Sequence, residues 1–209
     1  MRILSLCDYT GNMLKPWRDA GHQCVALDIA YEQDGMVDGI YRLKRDVLTY
    51  MPDGTEYDWV FAFPPCTHLA SSGARWWKEK DLPALVEALD IVNACYWWCR
   101  QAKLGWMIEN PVGRLTTCWR KPDHTFDPCD YGDPYTKKTC LWTGGAFKMP
   151  EKDRIEPTQG SKMHLMGQSK DRARKRSETP MGFAQAVFEA NHLSGDLRGD
   201  LSGLPPKSA

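Results

Sequence analysis

The sequence predicts an α/β domain built on a mostly parallel sheet with helices on both faces and a small irregular insertion. Three observations lead there. Over the first half of the chain, short apolar runs alternate with stretches of helical period. Those runs end at turn-like segments, on carboxylates or against prolines. The chain has 209 residues, 42% of them hydrophobic, which suits one such domain with an insertion better than two independent domains.

Ile3-Leu4-Ser5-Leu6-Cys7 is short and apolar and reads as a buried strand. Asp8 to Asn12 is turn-like, and Met13 to Ala20 forms a helix that Gly21 ends. Cys24-Val25-Ala26-Leu27-Asp28 is a second strand, finishing on a carboxylate, and a third short strand precedes Asp46. Asp58 to Phe63 is a fourth, stopped by Pro64-Pro65, which lack the amide hydrogen and fix φ. Leu82 to Lys103 places Leu85, Leu89, Val92, Ala94 and Tyr96 at helical spacing. Trp106-Met107-Ile108 is a fifth strand, ended by Asn110-Pro111. In open parallel sheets ligands gather at the carboxyl ends of the strands, and the unusual residues fall there.

From Gly113 to about Lys175, Gly, Pro, Thr, Lys and aromatics mix without a clear period, an irregular insertion with short strands. Thr179-Pro180 opens another helix with Phe183, Ala186, Val187 and Ala190 on one side. Residues 194–209 are rich in Gly, Ser and Pro and read as a flexible tail. The organisation is a core over 1–112, the insertion over 113–176, a closing helix returning to the core over 177–193, and the tail.

Acidic and basic residues balance at 27 each, so a nucleic-acid surface must be a local patch. Apolar runs are far short of a membrane span, and the first residues lack the pattern of an export signal. The expected compartment is the cytoplasm. The 8 cysteines are irregularly spaced, which favours buried thiols and one or two reactive ones over disulfides. Cys118, His124, Cys129 and Cys140 invite a zinc site, but the compact Cys-x-x-Cys knuckle is absent and ordinary buried thiols are favoured, so no metal is expected.

Phe63-Pro64-Pro65-Cys66 puts a cysteine directly after a strand, and Ile108-Glu109-Asn110-Pro111 puts a carboxylate at the end of the next. If those strands are neighbours, thiol and carboxyl lie across one pocket. Such a pair suits attack on an electron-poor pyrimidine: sulfur adds to C6 while the acid hydrogen-bonds or protonates N3, and C5 becomes a carbon nucleophile. The pair resembles the Pro-Cys and Glu-Asn motifs of the DNA cytosine-C5 methyltransferases. Cys66-Thr67-His68-Leu69-Ala70-Ser71-Ser72-Gly73 is similar to that family's mobile catalytic loop, which closes over a flipped base. Leu6-Cys7-Asp8-Tyr9-Thr10-Gly11-Asn12 stands in the place of its first cofactor loop. Asp28, followed by Ile29, resembles the acid that holds the ribose hydroxyls, and Asp46-Val47 the one that contacts the adenine amino group. Order and spacing agree across roughly the first 115 residues, and five short motifs in order are far more specific than one. Methyltransferases acting on exocyclic amino groups carry Asn or Asp before Pro-Pro and an aromatic after it. Phe63 and Cys66 stand there instead, favouring carbon.

The resemblance implies a Rossmann-like fold dependent on S-adenosylmethionine, with 1–112 as cofactor-binding and catalytic core and 113–176 as recognition insertion. It makes Cys66 and Glu109 catalytic. Cys7, Asp8, Tyr9, Thr10, Gly11, Asp28, Ile29, Asp46, Val47 and Pro64 would line the cofactor. Pro65, Thr67, Ser71, Ser72, Gly73, Asn110, Arg172 and Arg174 would meet double-stranded DNA. Compact size fits a phage or mobile-element enzyme.

The chain departs from the family in four places. Its first loop has Tyr9 and a single Gly11 where several glycines are usual, and a tyrosine there crowds the methionine end of the cofactor or closes the pocket differently. Pro111 replaces the commoner valine. The Gln-x-Arg-x-Arg element is replaced, at the wrong spacing, by Gln168 and the basic stretch Lys170, Arg172, Arg174, Lys175 and Arg176. The recognition segment is short, which implies a short or relaxed target sequence or assembly with another subunit. Lys137, Lys138 and Arg120, with Trp119, Tyr135 and Trp142, are candidates to touch phosphates and stack on bases. Two alternatives stay open: the same pyrimidine chemistry with a modified cofactor or on RNA or a free nucleotide, and a non-catalytic nucleic-acid-binding protein on this scaffold.

Overall fold

The computed structural model describes residues 1–51, 54–72, 81–161 and 178–193. Its strands are β1 (Arg2–Leu6), β2 (Gln23–Leu27), β3 (Gly35–Val37), β4 (Ile40–Leu43), β5 (Trp59–Ala62), β6 (Gly105–Pro111), β7 (His124–Phe126) and β8 (Thr139–Gly145). Its α-helices are α1 (Lys15–Asp19), α2 (Leu82–Arg100), α3 (Leu115–Cys118) and α4 (Met181–Asn191). The strands form one sheet in the order β3-β4-β2-β1-β5-β6-β8-β7. β4, β2, β1, β5 and β6 are mutually parallel, while β3, β8 and β7 pair antiparallel with their neighbours.

Burial explains why these segments are strands. Side chains alternate across a sheet, and both faces of this one are covered, so its central strands are apolar on both sides. Every residue of β5 is buried. Ile3, Phe61 and Met107 pack with Trp17 before α1's end and with Phe183 and Val187 of α4. Leu4, Val60 and Ile108 face the other way, onto Val92, Cys95, Trp98 and Cys99 of α2. Asp81 caps α2, its carboxylate accepting from the Ala84 amide at 3.3 Å.

Three segments differ from expectation. The helix predicted over Met13 to Ala20 divides into a 3-10 turn (Asn12–Leu14) and the short α1. Pro16 sits in the first turn of α1, where its missing N–H costs nothing. The fifth strand runs past Ile108 through Glu109 and Asn110 to Pro111, because β8 pairs with it from Gly105↔Gly145 to Pro111↔Thr139. The short strands expected within 113–176 include β7 and β8, and these extend the main sheet. The basic stretch from Lys170 to Arg176 and the tail lie outside the described residues.

The chain builds outward from β1 through β2 to β4, then crosses back to place β5 on the other side of β1. That reversal makes the β1–β5 boundary the place where a ligand crevice opens at the carboxyl ends. Among the described residues no helix is long and apolar enough to cross a membrane.

Candidate active site

On the β1 side of the crevice, the chain turns sharply at Cys7, whose φ of 54° lies in the left-handed region that non-glycine residues seldom adopt. The Cys7 thiol hydrogen-bonds with Cys95 of α2; that bond, burial, and the negative charges of Asp28 and Asp46 push its pKa well up. Three residues assigned to the cofactor by resemblance are therefore electrostatic neighbours. Asp8 is buried and ties the loop together: one carboxylate oxygen accepts from Ser5 Oγ at 2.8 Å, the other from the Gly11 amide at 2.9 Å and Thr10 Oγ1 at 3.1 Å. Burial raises its pKa against the opposing pull of these bonds. Gly11 sits at φ 66°, with Ile40 Cδ1 3.3 Å from where a Cβ would stand, so a side chain there would be both strained and crowded.

Tyr9 stacks on Tyr31 with ring centroids 5.6 Å apart. The Tyr31 hydroxyl donates to the Asp8 carbonyl at 2.6 Å. Asp28 and Asp46, at the exits of β2 and β4, each accept at Oδ1 from a turn amide, Ala30 at 2.8 Å and Leu48 at 2.9 Å. Burial raises the Asp28 pKa, and the charge of Asp8 adds to it. Ile29 is exposed and Val47 buried. Carboxyl groups accept from hydroxyl and amino donors, and when ionised attract a cation and repel phosphate, so this set of side chains is compatible with a group that offers such donors and positive charge.

Across the boundary, β5 and β6 leave the sheet side by side, with Ala62 opposite Ile108. Asn110 Nδ2 donates to the Pro64 carbonyl at 2.8 Å and joins the two exits. Cys66, half-buried, opens a turn in which its carbonyl accepts from the Leu69 and Ala70 amides at 3.0 and 2.8 Å. Pro65, Thr67, Ser71 and Ser72 are exposed. Glu109 reaches a cavity of about 10 Å³ shared with Phe63, Phe126, Lys137, Thr139 and Phe183, roughly the room of one water. Burial pushes its pKa up, and the Lys137 charge works against that. Five buried side-chain polar atoms lack a hydrogen-bond partner among the described residues: Glu109 Oε1, Asn110 Oδ1 and His68 Nδ1, which cluster at these exits in sequence, and the indoles of Trp17 and Trp59.

Gly73, Arg172 and Arg174 lie outside the described residues. Among residues expected to touch DNA, Tyr135 and Trp142 are buried, and the Trp142 indole donates to the Arg120 carbonyl at 2.9 Å. Arg120 itself pairs with Asp123 at 2.7 Å. Stacking on bases is closed to those two rings because they pack against the sheet. Lys137 was expected on phosphates and stands instead beside Glu109. Its placement follows from β8: the two lysines immediately precede the strand that pairs with β6, and the Lys137 amide donates to Asp127 Oδ1 at 2.9 Å. Asn12 is a further contributor that sequence reasoning missed; its Nδ2 donates to the Thr179 carbonyl at 3.0 Å, tying the start of the closing segment to the β1 loop. Among the described residues no cluster of His, Cys, Asp and Glu is arranged to hold a metal ion.

The sequence matches no protein-family model and no curated protein. Among solved structures, it is similar to a protein described as a DNA modification methyltransferase encoded within an E. coli prophage. The TM-score is 0.51 at 13% identity, covering 69% of this chain and 46% of that one. It is also similar to the S. pombe Dnmt2 methyltransferase, with a TM-score of 0.44 at 16% identity over 71% of this chain and 50% of that one. The chain thus spans about half the length of these proteins. The first likeness shows the fold: a Rossmann-like methyltransferase architecture.

Proposed function

We propose that this chain methylates C5 of cytosine in DNA through a covalent bond between Cys66 and C6. One observation carries the reading: Cys66 and Glu109 stand at the ends of adjacent parallel strands joined by the Asn110–Pro64 hydrogen bond, in the same sheet as the strands that Asp8, Asp28 and Asp46 follow. S-adenosylmethionine, when bound, supplies an electrophilic methyl group; it is a cationic nucleoside without phosphate, which suits carboxyl groups at the ends of β1, β2 and β4.

Asp28 and Asp46 would hold its ribose and adenine, and the Asp8-braced loop would carry its methionine end. The target cytosine must leave its stack, which costs a few kcal/mol. Asn110 Oδ1 and His68 Nδ1, unpartnered now, are free to take up hydrogen bonds to the base or to the closed loop. Cys66 gives its thiol proton to solvent and adds to C6 as the thiolate. Glu109, whose burial favours the protonated form, donates to N3 and stabilises the negative charge that the addition pushes into the ring. The resulting C5 carbanion character makes that carbon the nucleophile. After methyl transfer, water takes the C5 proton, the double bond re-forms, the Cys66 thiolate is expelled and the N3 proton returns to Glu109.

A duplex bearing 5-fluorocytosine tests this, because fluorine at C5 cannot leave as a proton does and the adduct persists. Incubation with S-adenosylmethionine is expected to give a protein–DNA species whose mass includes the methyl group and whose crosslink maps to Cys66. An adduct on another residue, or none with cofactor binding intact, contradicts the proposal.

A further inference from the structure

The segment that follows Cys66 is fastened to the segment that follows Glu109 by three hydrogen bonds. Leu69 O accepts from the Arg114 amide at 2.8 Å, and Ser71 N donates to the Val112 carbonyl at 2.8 Å. Ser71 Oγ donates to the same carbonyl at 2.8 Å. The two backbone bonds make Ala70 and Gly113 the paired residues of an isolated antiparallel bridge. The two backbones meet most closely at Gly113. A Cβ there would stand 2.0 Å from Leu69 O and 2.9 Å from Ala70 Cα, both main-chain atoms that no rotamer change can move aside. Its φ is not in the left-handed region, so glycine is required by the approach of the loop and not by its own backbone conformation.

We propose that Gly113 and Ser71 form a clasp that holds the Cys66 turn against the β6 exit, which makes Gly113 a positioning residue for the nucleophile. The role of Cys66 as nucleophile rests on the function proposed above; the clasp itself does not. Its consequence is mechanical. Residues 69–71 are anchored to the segment that directly follows the strand carrying Glu109, which fixes the Cys66 turn relative to that strand. Nothing in the sequence marks Gly113 as special, since its partner lies more than 40 positions earlier in the chain.

Two readouts on the full-length protein test the clasp. The first is alkylation of Cys66 by iodoacetamide, followed by peptide mass spectrometry. The second is the rate of trapping on the 5-fluorocytosine duplex with S-adenosylmethionine. Gly113→Ala is expected to alkylate at Cys66 about threefold faster and to trap about tenfold more slowly, a loss that corresponds to roughly 1.4 kcal/mol of barrier. The buried Cys95 and Cys99 should stay unlabelled. Protection of Cys95 and Cys99, both buried, distinguishes a loosened loop from general damage, which would expose every thiol. Ser71→Ala should move both in the same directions by about threefold or less, and Ser71→Thr, which keeps the hydroxyl, should restore them. If Gly113→Ala exposes Cys95 and Cys99 as well, the serine pair decides. Alkylation and trapping at wild-type rates in both Gly113→Ala and Ser71→Ala overturn the clasp. A wild-type protein that does not trap at all refutes the proposed function, and the alkylation rates still decide the clasp.

Discussion

The two halves of the crevice differ in how they treat their polar groups. On the β1–β2–β4 side, carboxylates are spent on structure: Asp8 accepts three hydrogen bonds within its own loop, and Asp28 and Asp46 each brace a turn. On the β5–β6 side, Glu109 Oε1, Asn110 Oδ1 and His68 Nδ1 are buried with no partner among the described residues. A buried polar group without a hydrogen bond costs roughly 1–3 kcal/mol. Three such atoms at neighbouring strand exits leave that half able to form hydrogen bonds with a bound group, whereas the carboxylates of the first half already hold their own turns.

That contrast is sharpest in mutants that split activity from stability. Cys66→Ala is expected to remove turnover altogether while leaving the melting temperature unchanged. Glu109→Gln should lower kcat by roughly 10²–10⁴-fold, the usual contribution of a positioned acid. It should also remove a pH-dependent weakness. The raised Glu109 pKa means the folded state binds more protons than the unfolded one. Stability from this group is therefore full at low pH and declines as pH rises through the raised midpoint. Melting curves of Glu109→Gln should lack that decline. If either variant is destabilised as strongly as an Asp8 variant, the contrast between the halves fails.

Effects of intermediate size belong to the other half. Asp28→Ala should weaken S-adenosylmethionine binding about tenfold, equivalent to ~1.4 kcal/mol, with the fold intact; calorimetry showing wild-type affinity would remove Asp28 from the cofactor site. Asp8→Ala strands the buried Ser5 hydroxyl and the Gly11 amide and should cost roughly 1–3 kcal/mol in a denaturant melt. The smallest effect is a shift along the pH axis. Lys137 opposes the rise in the Glu109 pKa, so Lys137→Met should move the descending limb of the kcat profile to higher pH with little loss at its maximum. A limb that stays in place, or moves down, would detach Lys137 from Glu109.

Much of this architecture was legible from short apolar runs bounded by punctuation. Pro64-Pro65 ends β5, Gly21 (φ 81°) follows α1, and the carboxylate of Asp28 stands directly beyond β2. Those signals are local, and so are the motifs that singled out Cys66 and Glu109. β8 was expected only as an unplaced short strand of the insertion, and its place in the main sheet escaped because Thr139-Cys140-Leu141-Trp142 is buried throughout and shows no alternation, while its glycines fit against neighbouring strands: the Trp106 indole occupies the space of a Gly144 side chain. The same long-range pairing that hid β8 hid the placement of Lys137. The Asn110–Pro64 bond and the close approach at Gly113 join positions more than 40 residues apart, and no local pattern encodes them. Trp142 and Tyr135 misled for a related reason: aromatic residues beside lysines suit a base-stacking surface and a sheet core equally well.

Nucleoside mass spectrometry of unmodified double-stranded DNA, after incubation with the protein and S-adenosylmethionine, tests the central claim most directly. Methyl transfer through Cys66 predicts 5-methyl-2′-deoxycytidine in the wild-type digest and none with Cys66→Ala. A wild-type digest without it, from protein that binds the cofactor, or the same product from Cys66→Ala, would contradict the claim.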